Sequence, residues 1–183
     1  MIIPARIPNT GPPMIGNVCP RNQHGTAMTR QSKMPFQLFV IKFIEIIKNY
    51  YGDVEEVAWE SQNQEYFGCI AKLKNHTHRI RLAKITPKKI GQFVAVWEKD
   101  LRNINQPFLY DNSPEYLSIF VFCDDKKGVF IFPKKVVEEK GIYSSITKKG
   151  KMGFRLYPDW DNPGSLEANK TKSWQIKYFK RFF

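Results

Sequence analysis

The chain has 183 residues, enough for one domain with a sizeable core, and its 42% hydrophobic and 14% aromatic content excludes a disordered chain. A formal charge of +12 points to polyanions, nucleic acid ahead of an anionic membrane surface. Cys19, Cys69 and Cys123 are odd in number and widely spaced, which offers neither a disulfide framework nor a metal-binding pair, and no apolar run approaches the roughly 20 residues of a membrane helix. A cytoplasmic, reducing setting with no membrane partner is therefore expected.

Residues 1–34 hold Pro4, Pro8, Pro12, Pro13 and Pro20 and no Asp or Glu. The prolines interrupt the apolar core that a secretory signal needs. We expect a disordered, basic, Pro-rich tail here, with a true start at Met28 or Met34 as one alternative, and a single α/β domain over 35–183. Phe36, Phe39, Val40, Phe43, Ile44 and Ile47 recur at helical spacing, and Gly52 suits the end of that helix. Strands are expected over 54–60, 65–74 and 78–85. Asn75 marks a turn, so the second and third should form a hairpin.

The next stretch predicts a helix over 87–100. Thr86 can cap it, Pro87 suits its first position, and Ile90, Phe93, Val94, Trp97 and Leu101 fall on one face. Lys88 and Lys89 would then lie in its first turn, where the helix dipole disfavours cations, so an anion docked on the free amides would explain them. Residues 103–114 predict a loop. Residues 116–123 form a strongly apolar, central strand, followed by a turn over 124–128 and a returning strand over 129–132. Pro133 opens a short helix that ends at Gly141. A short strand over 154–157 precedes a loop and a C-terminal helix, capped by Ser165, that carries Trp174, Tyr178 and Phe182. The order predicts a central mixed sheet flanked by helices.

Charge is distributed unevenly along this order. From Tyr66 to Trp97 there is no Asp or Glu, while Lys72, Lys74, Arg79, Arg81, Lys84, Lys88 and Lys89 all fall within it. Strand alternation splits Ile80, Leu82 and Lys84 from Arg79, Arg81 and Ala83. The bland alternative is that Arg79 and Arg81 face water or pair with Glu55, Glu56 or Glu60. Glu60 and Glu65, with Lys84 on an adjacent strand, could hold magnesium or manganese and steady an attacking water. The order of helix, strands and helix is similar to the PD-(D/E)XK nuclease core. That core wants an acid two residues before the lysine, and Leu82 stands there. Lone glutamates also serve as surface partners of nearby cations.

His24, His76 and His78 show no ligand spacing with the cysteines, and no Gly-rich phosphate loop is present. In the second half, Lys148-Lys149-Gly150-Lys151 runs into Gly153-Phe154-Arg155-Leu156-Tyr157-Pro158-Asp159-Trp160-Asp161. Glycines, cations and aromatics together suit a loop that touches phosphates and stacks on bases. A hairpin turn with Trp160 in the core fits the same residues.

The motif Arg81-Leu82-Ala83-Lys84-Ile85-Thr86-Pro87-Lys88-Lys89-Ile90-Gly91-Gln92-Phe93-Val94 with Trp97 resembles the signature of the MepB family. So do Gln106-Pro107-Phe108, Gly128-Val129-Phe130-Ile131-Phe132-Pro133 with Gly141-Ile142, the 153–161 block, and Trp174-Gln175 with Tyr178-Phe179. The resemblance covers roughly residues 47–183 in order. It implies a bacterial protein with a restriction-endonuclease-like, PD-(D/E)XK-related α/β fold. It brings nucleic-acid binding as a suggestion and no established activity, and the family is mostly uncharacterised.

The leading expectation is thus a binder of DNA or RNA on a nuclease-like scaffold with a degraded catalytic centre and no cofactor. Arg79, Arg81, Lys84, Thr86, Lys88, Lys89 and Arg155 would meet phosphates, and Trp160 would stack on a base. The first alternative is a magnesium- or manganese-dependent nuclease using Glu60, Glu65 and Lys84, with Glu60 and Glu65 as metal ligands. The second is a nucleotide- or protein-binding regulator. Strand type, base preference and oligomeric state are not encoded in these features.

Overall fold

A computed structural model describes residues 36–182. The expected disordered tail over 1–34, and the alternative starts within it, lie outside the described residues. The centre is a six-stranded mixed sheet in the order β1-β2-β3-β8-β9-β11. Its strands are β1 Val54–Trp59, β2 Cys69–Leu73, β3 His76–Leu82, β8 Tyr116–Cys123, β9 Lys126–Pro133 and β11 Phe179–Phe182. Only the β3–β8 pair is parallel; the other neighbours run antiparallel.

Two tight turns fix this register as the sequence suggests. Lys74 and Asn75 both take positive φ between Leu73 and His76, the backbone a two-residue hairpin turn requires. Asp124 does the same after Cys123. Strand alternation then gives the sheet two unlike faces. On one, Ile80, Leu82, Phe120 and Val129 pack beneath Phe43, Ile47 and Tyr51 of helix α1 (Phe36–Tyr51). On the other, Leu117, Ile119, Val121, Phe130 and Phe132 form a second core. Short helix α2 (Lys134–Glu139) and helix α3 (Leu166–Gln175) supply Val137 and Trp174 to that side.

The predicted helix over 87–100 is not formed. The segment folds as a hairpin of β4 (Lys84–Thr86) and β5 (Lys89–Ala95), and β10 (Gly153–Leu156) completes a three-stranded sheet in the order β10-β5-β4. Thr86 pairs with Lys89, so Pro87 and Lys88 form the turn. A threonine followed by proline suits a β-turn as well as a helix start, because proline's fixed φ serves both. Gly91 has φ +87, and an added Cβ would lie 2.6 Å from Leu156 O, so the β5–β10 approach demands glycine. With no helix starting at Pro87, no helix dipole acts on Lys88 and Lys89, and no free first-turn amides are there to dock an anion. A further pair, β6 (Trp97–Lys99) and β7 (Asn105–Pro107), occupies what was expected to be helix end and loop. The predicted C-terminal helix stops at Gln175, and Phe182 lies on β11 instead, paired with Lys127 of β9.

The cysteine expectation is also corrected. Cys69 is free and buried, but Cys123 is disulfide-bonded. Among the described residues no helix is long and apolar enough to cross a membrane.

Beneath α1 sits a buried polar chain. His78 Nδ1 is 2.8 Å from Ser118 Oγ, which is 3.1 Å from the Tyr51 hydroxyl, and the imidazole stacks on Tyr116 at 4.9 Å. Burial, aided by nearby His76, lowers the His78 pKa to about 4. The unfolded chain would take up this proton near 6.5, so it binds more protons than the native state between these values. Stability from His78 is full above pH 6.5 and is lost as pH falls towards 4, by roughly 3 kcal/mol. Urea unfolding across that window should show this slope, and His78→Gln should flatten it.

Candidate functional site

The two arginines of β3 face away from α1 and into the interior. Arg81 is 0% exposed and Arg79 5%. Glu60, just past β1, meets both: Arg79 Nε donates to its Oε1 at 2.8 Å, and Arg81 Nη2 donates to its Oε2. Arg79 Nη1 also donates to Ser113 Oγ at 3.2 Å, and its guanidinium lies 3.5 Å from the Phe108 ring centroid. Burial pulls the Arg81 pKa down while Glu60 opposes the shift. Gly68 makes room for this packing, since a Cβ there would sit 1.7 Å from Arg81 Nη1. Arg81 Nε and Nη1 find no hydrogen-bond partner among the described residues.

Neither Arg79 nor Arg81 is therefore placed to meet a phosphate at the surface. The pairing with Glu60, weighed as the bland alternative, is the arrangement found. Glu60 is in turn committed to two guanidinia and not to a metal. Glu65 is engaged elsewhere, its carboxylate 2.6 Å from Lys84 Nζ, which also lies 4.7 Å from the Tyr66 ring centroid. Leu82 packs in the core below α1. So the structure gives Glu60 and Glu65 separate cationic partners, and among the described residues no group of three or more His, Cys, Asp or Glu is arranged to hold a metal.

Of the residues expected to meet phosphate, the exposed ones lie at one end of the three-stranded sheet. Lys88 and Lys89 stand exposed at the β4–β5 turn. Arg155 of β10 reaches under that turn: Nη1 donates to Thr86 Oγ1 and to Gly91 O, each at 2.9 Å. Thr86 and Arg155 thus act as a clamp on the hairpin. Buried Gln175 extends the clamp to α3, donating Nε2 to Arg155 O at 2.8 Å and accepting from Tyr157 N at 3.0 Å. Ser165 caps α3 as expected, accepting from Ala168 N at 3.2 Å.

Between β10 and α3 opens a cavity of about 250 Å³. Its wall includes Lys140, Lys151, Arg155, Tyr157, Thr171 and Trp174, and no carboxylate. Trp160, expected to stack on a base, packs on Phe179 at 5.5 Å with Arg181 5.3 Å from its ring centroid. It is a packing residue. Trp174, Lys140 and Thr171 escaped sequence reasoning as site residues. The Ser165 cap fixes the phase of α3, and Thr171, Trp174 and Gln175 then share one face at positions i, i+3 and i+4. That mixed polar and aromatic face was the available signal.

Removing the carboxylate at Glu60 should leave two buried guanidinia uncompensated. Glu60→Gln is expected to cost about 3–5 kcal/mol in chemical denaturation. Adding Arg81→Leu should recover part of it; a cost below about 1 kcal/mol for Glu60→Gln would refute the interaction's weight.

A family model described as MepB-like matches residues 60–181. The chain is also similar to a solved structure, the crystal structure of MepB, at 38% sequence identity and a TM-score of 0.70, covering 76% of this chain and 96% of that one. No curated protein matches the chain.

Proposed function

The chain belongs to the MepB-like family, and from that premise we propose that it binds DNA or RNA through the phosphate backbone, on the small sheet and not on the arginines of β3. The carrying observation is the Arg155 clamp, which holds the turn bearing exposed Lys88 and Lys89 against the strand that follows the Lys148–Lys151 cations. Fixed, exposed lysines on a chain of charge +12 suit a polyanion whose charges are evenly spaced.

A restriction-endonuclease-like scaffold is part of the same proposal. The order α1, three antiparallel strands and a fourth strand parallel to the third supports it. The small sheet stands where that core carries a helix. Commitment of Glu60 to two arginines, of Lys84 to Glu65 and of Leu82 to the core supports binding without cleavage. No metal has a role in this reading. A cytoplasmic setting goes with such a ligand, and the Cys123 disulfide stands against it.

Affinity for oligonucleotides should fall with salt by roughly 0.7–0.9 log units per log unit of salt for each phosphate contact. The double variant Lys88→Ala with Lys89→Ala should weaken binding and reduce the slope by about two contacts' worth. Lys42→Ala, on α1 across the large sheet, should change nothing. A flat salt dependence, or magnesium-dependent cleavage abolished by Lys84→Ala, would sink the proposal.

A further inference from the structure

We propose that the cavity between β10 and α3 is a pocket for one nucleotide, taking an unstacked base on Trp174 and its phosphate on Lys140 and Lys151. The inference deepens the nucleic-acid reading and rests on it for the source of the ligand.

Size is the first ground. A cavity of about 250 Å³ lies just below the roughly 300–1,000 Å³ that hold drug-sized ligands. It admits a single base with part of its sugar, and a stacked duplex does not fit inside it. Charge is the second. Three cations line the wall without a carboxylate, which selects against amines and metal ions and in favour of anions. Lys140 and Lys151 are exposed and form no ion pair among the described residues. Neither ammonium group is thus committed to a carboxylate among the described residues.

The aromatic wall is the third ground. Trp174 is half-buried, braced against Phe132 at 5.3 Å, and Lys140 Nζ lies over its ring, 5.5 Å from the centroid. An ammonium over an indole face is a weak, exposed cation–π contact of about 0.5–1 kcal/mol. A nucleobase stacking on the same face contributes about 1–3 kcal/mol and frees the lysine for the phosphate that arrives with it. Thr171 adds a hydroxyl to the wall. The back of the pocket is rigid before any ligand arrives. Gln175 is spent on Tyr157 N and Arg155 O, and Arg155 on Thr86 and Gly91. The ordering left to oppose binding is that of the two lysine side chains.

One consequence separates this from simple backbone binding. A base can reach Trp174 only if it is unstacked, so the pocket favours a single strand or a strand end over a duplex.

Titration calorimetry of the full chain with a nucleoside monophosphate, the parent nucleoside, inorganic phosphate, a 5′-phosphorylated single strand and a blunt duplex tests this. One-to-one binding of the monophosphate, at least 10-fold tighter than nucleoside or phosphate alone, is expected. Trp174→Phe and, separately, Lys140→Ala with Lys151→Ala should each weaken it at least several-fold, with unchanged far-ultraviolet circular dichroism showing that the variants fold. Competition by the monophosphate for the single strand identifies a strand nucleotide as the occupant; monophosphate binding without competition identifies a free mononucleotide. Duplex binding with no monophosphate binding overturns the pocket and leaves the backbone surface standing. Monophosphate binding with no binding to either polymer overturns the surface and leaves the pocket. Monophosphate affinity unchanged in both variants overturns the assignment to this cavity.

Discussion

The structure turns on one carboxylate shared by two buried guanidinia. Glu60 closes the end of β1, and its amide bonds to Gly68 O at 2.9 Å, just ahead of β2. Its side chain then reaches across to Arg79 and Arg81 on β3. An isolated charge in an apolar interior costs several kcal/mol, and good geometry is what offsets it. The edge strand β1 is thereby tied to β3, nearer the centre of the sheet, by electrostatics as well as through the ladder bonds of β2. Because one carboxylate faces two cations, the interior keeps an excess positive charge, which the Phe108 ring beneath Arg79 partly answers through its π face. This arrangement also decides what the site is not. Each oxygen of this nearly buried carboxylate already accepts from a guanidinium, and guanidinia this deep do not reach a phosphate at the surface.

How much of this could be read from the sequence depended on whether the deciding partner was local. Helix α1 was legible because Phe43 and Ile47 carry the pattern and no other element competes for them. The Asn75 and Asp124 turns were legible because positive φ has few residue choices. The hairpin of β4 and β5 was not. Ile90, Phe93, Val94 and Trp97 match a helical stripe, yet Gln92, Val94 and Val96, all buried, match strand alternation equally well. The arbiter is β10, which pairs Arg155 with Phe93 from sixty-two positions away along the chain. Leu101, counted on the helical stripe, is fully exposed, as expected when no helix exists to bury it.

The charge reading failed for a related reason. A window without acids looks like a positive surface only if its neighbours in space are its neighbours in sequence. Here the compensating carboxylates, Glu60 and Glu65, lie just upstream of the window and fold back onto Arg79, Arg81 and Lys84. Of the expected set, Lys88 and Lys89 stand exposed at the turn, and Thr86 and Arg155 are bonded to each other beneath it as a clamp. In the proposed reading the stacking aromatic is Trp174 and not Trp160. Both were visible as tryptophans; only the packing of Phe179 against one and the open cavity beside the other distinguishes them.

That redistribution has a mechanical consequence. The lysine-bearing turn is joined to β10 by one guanidinium, and β10 is joined to α3 by one buried amide, both through backbone carbonyls that cannot swing away. The turn and the cavity therefore share a frame, and neither can shift without breaking a part-buried hydrogen bond worth about 0.5–1.5 kcal/mol. Flexible lysines on a flexible loop would lose much of their attraction to ordering on each encounter. Held on a frame, as the proposed reading requires, they would meet a polyanion at a fixed distance from an aromatic pocket, and a fixed distance is what would let a positive surface prefer one form of nucleic acid over another.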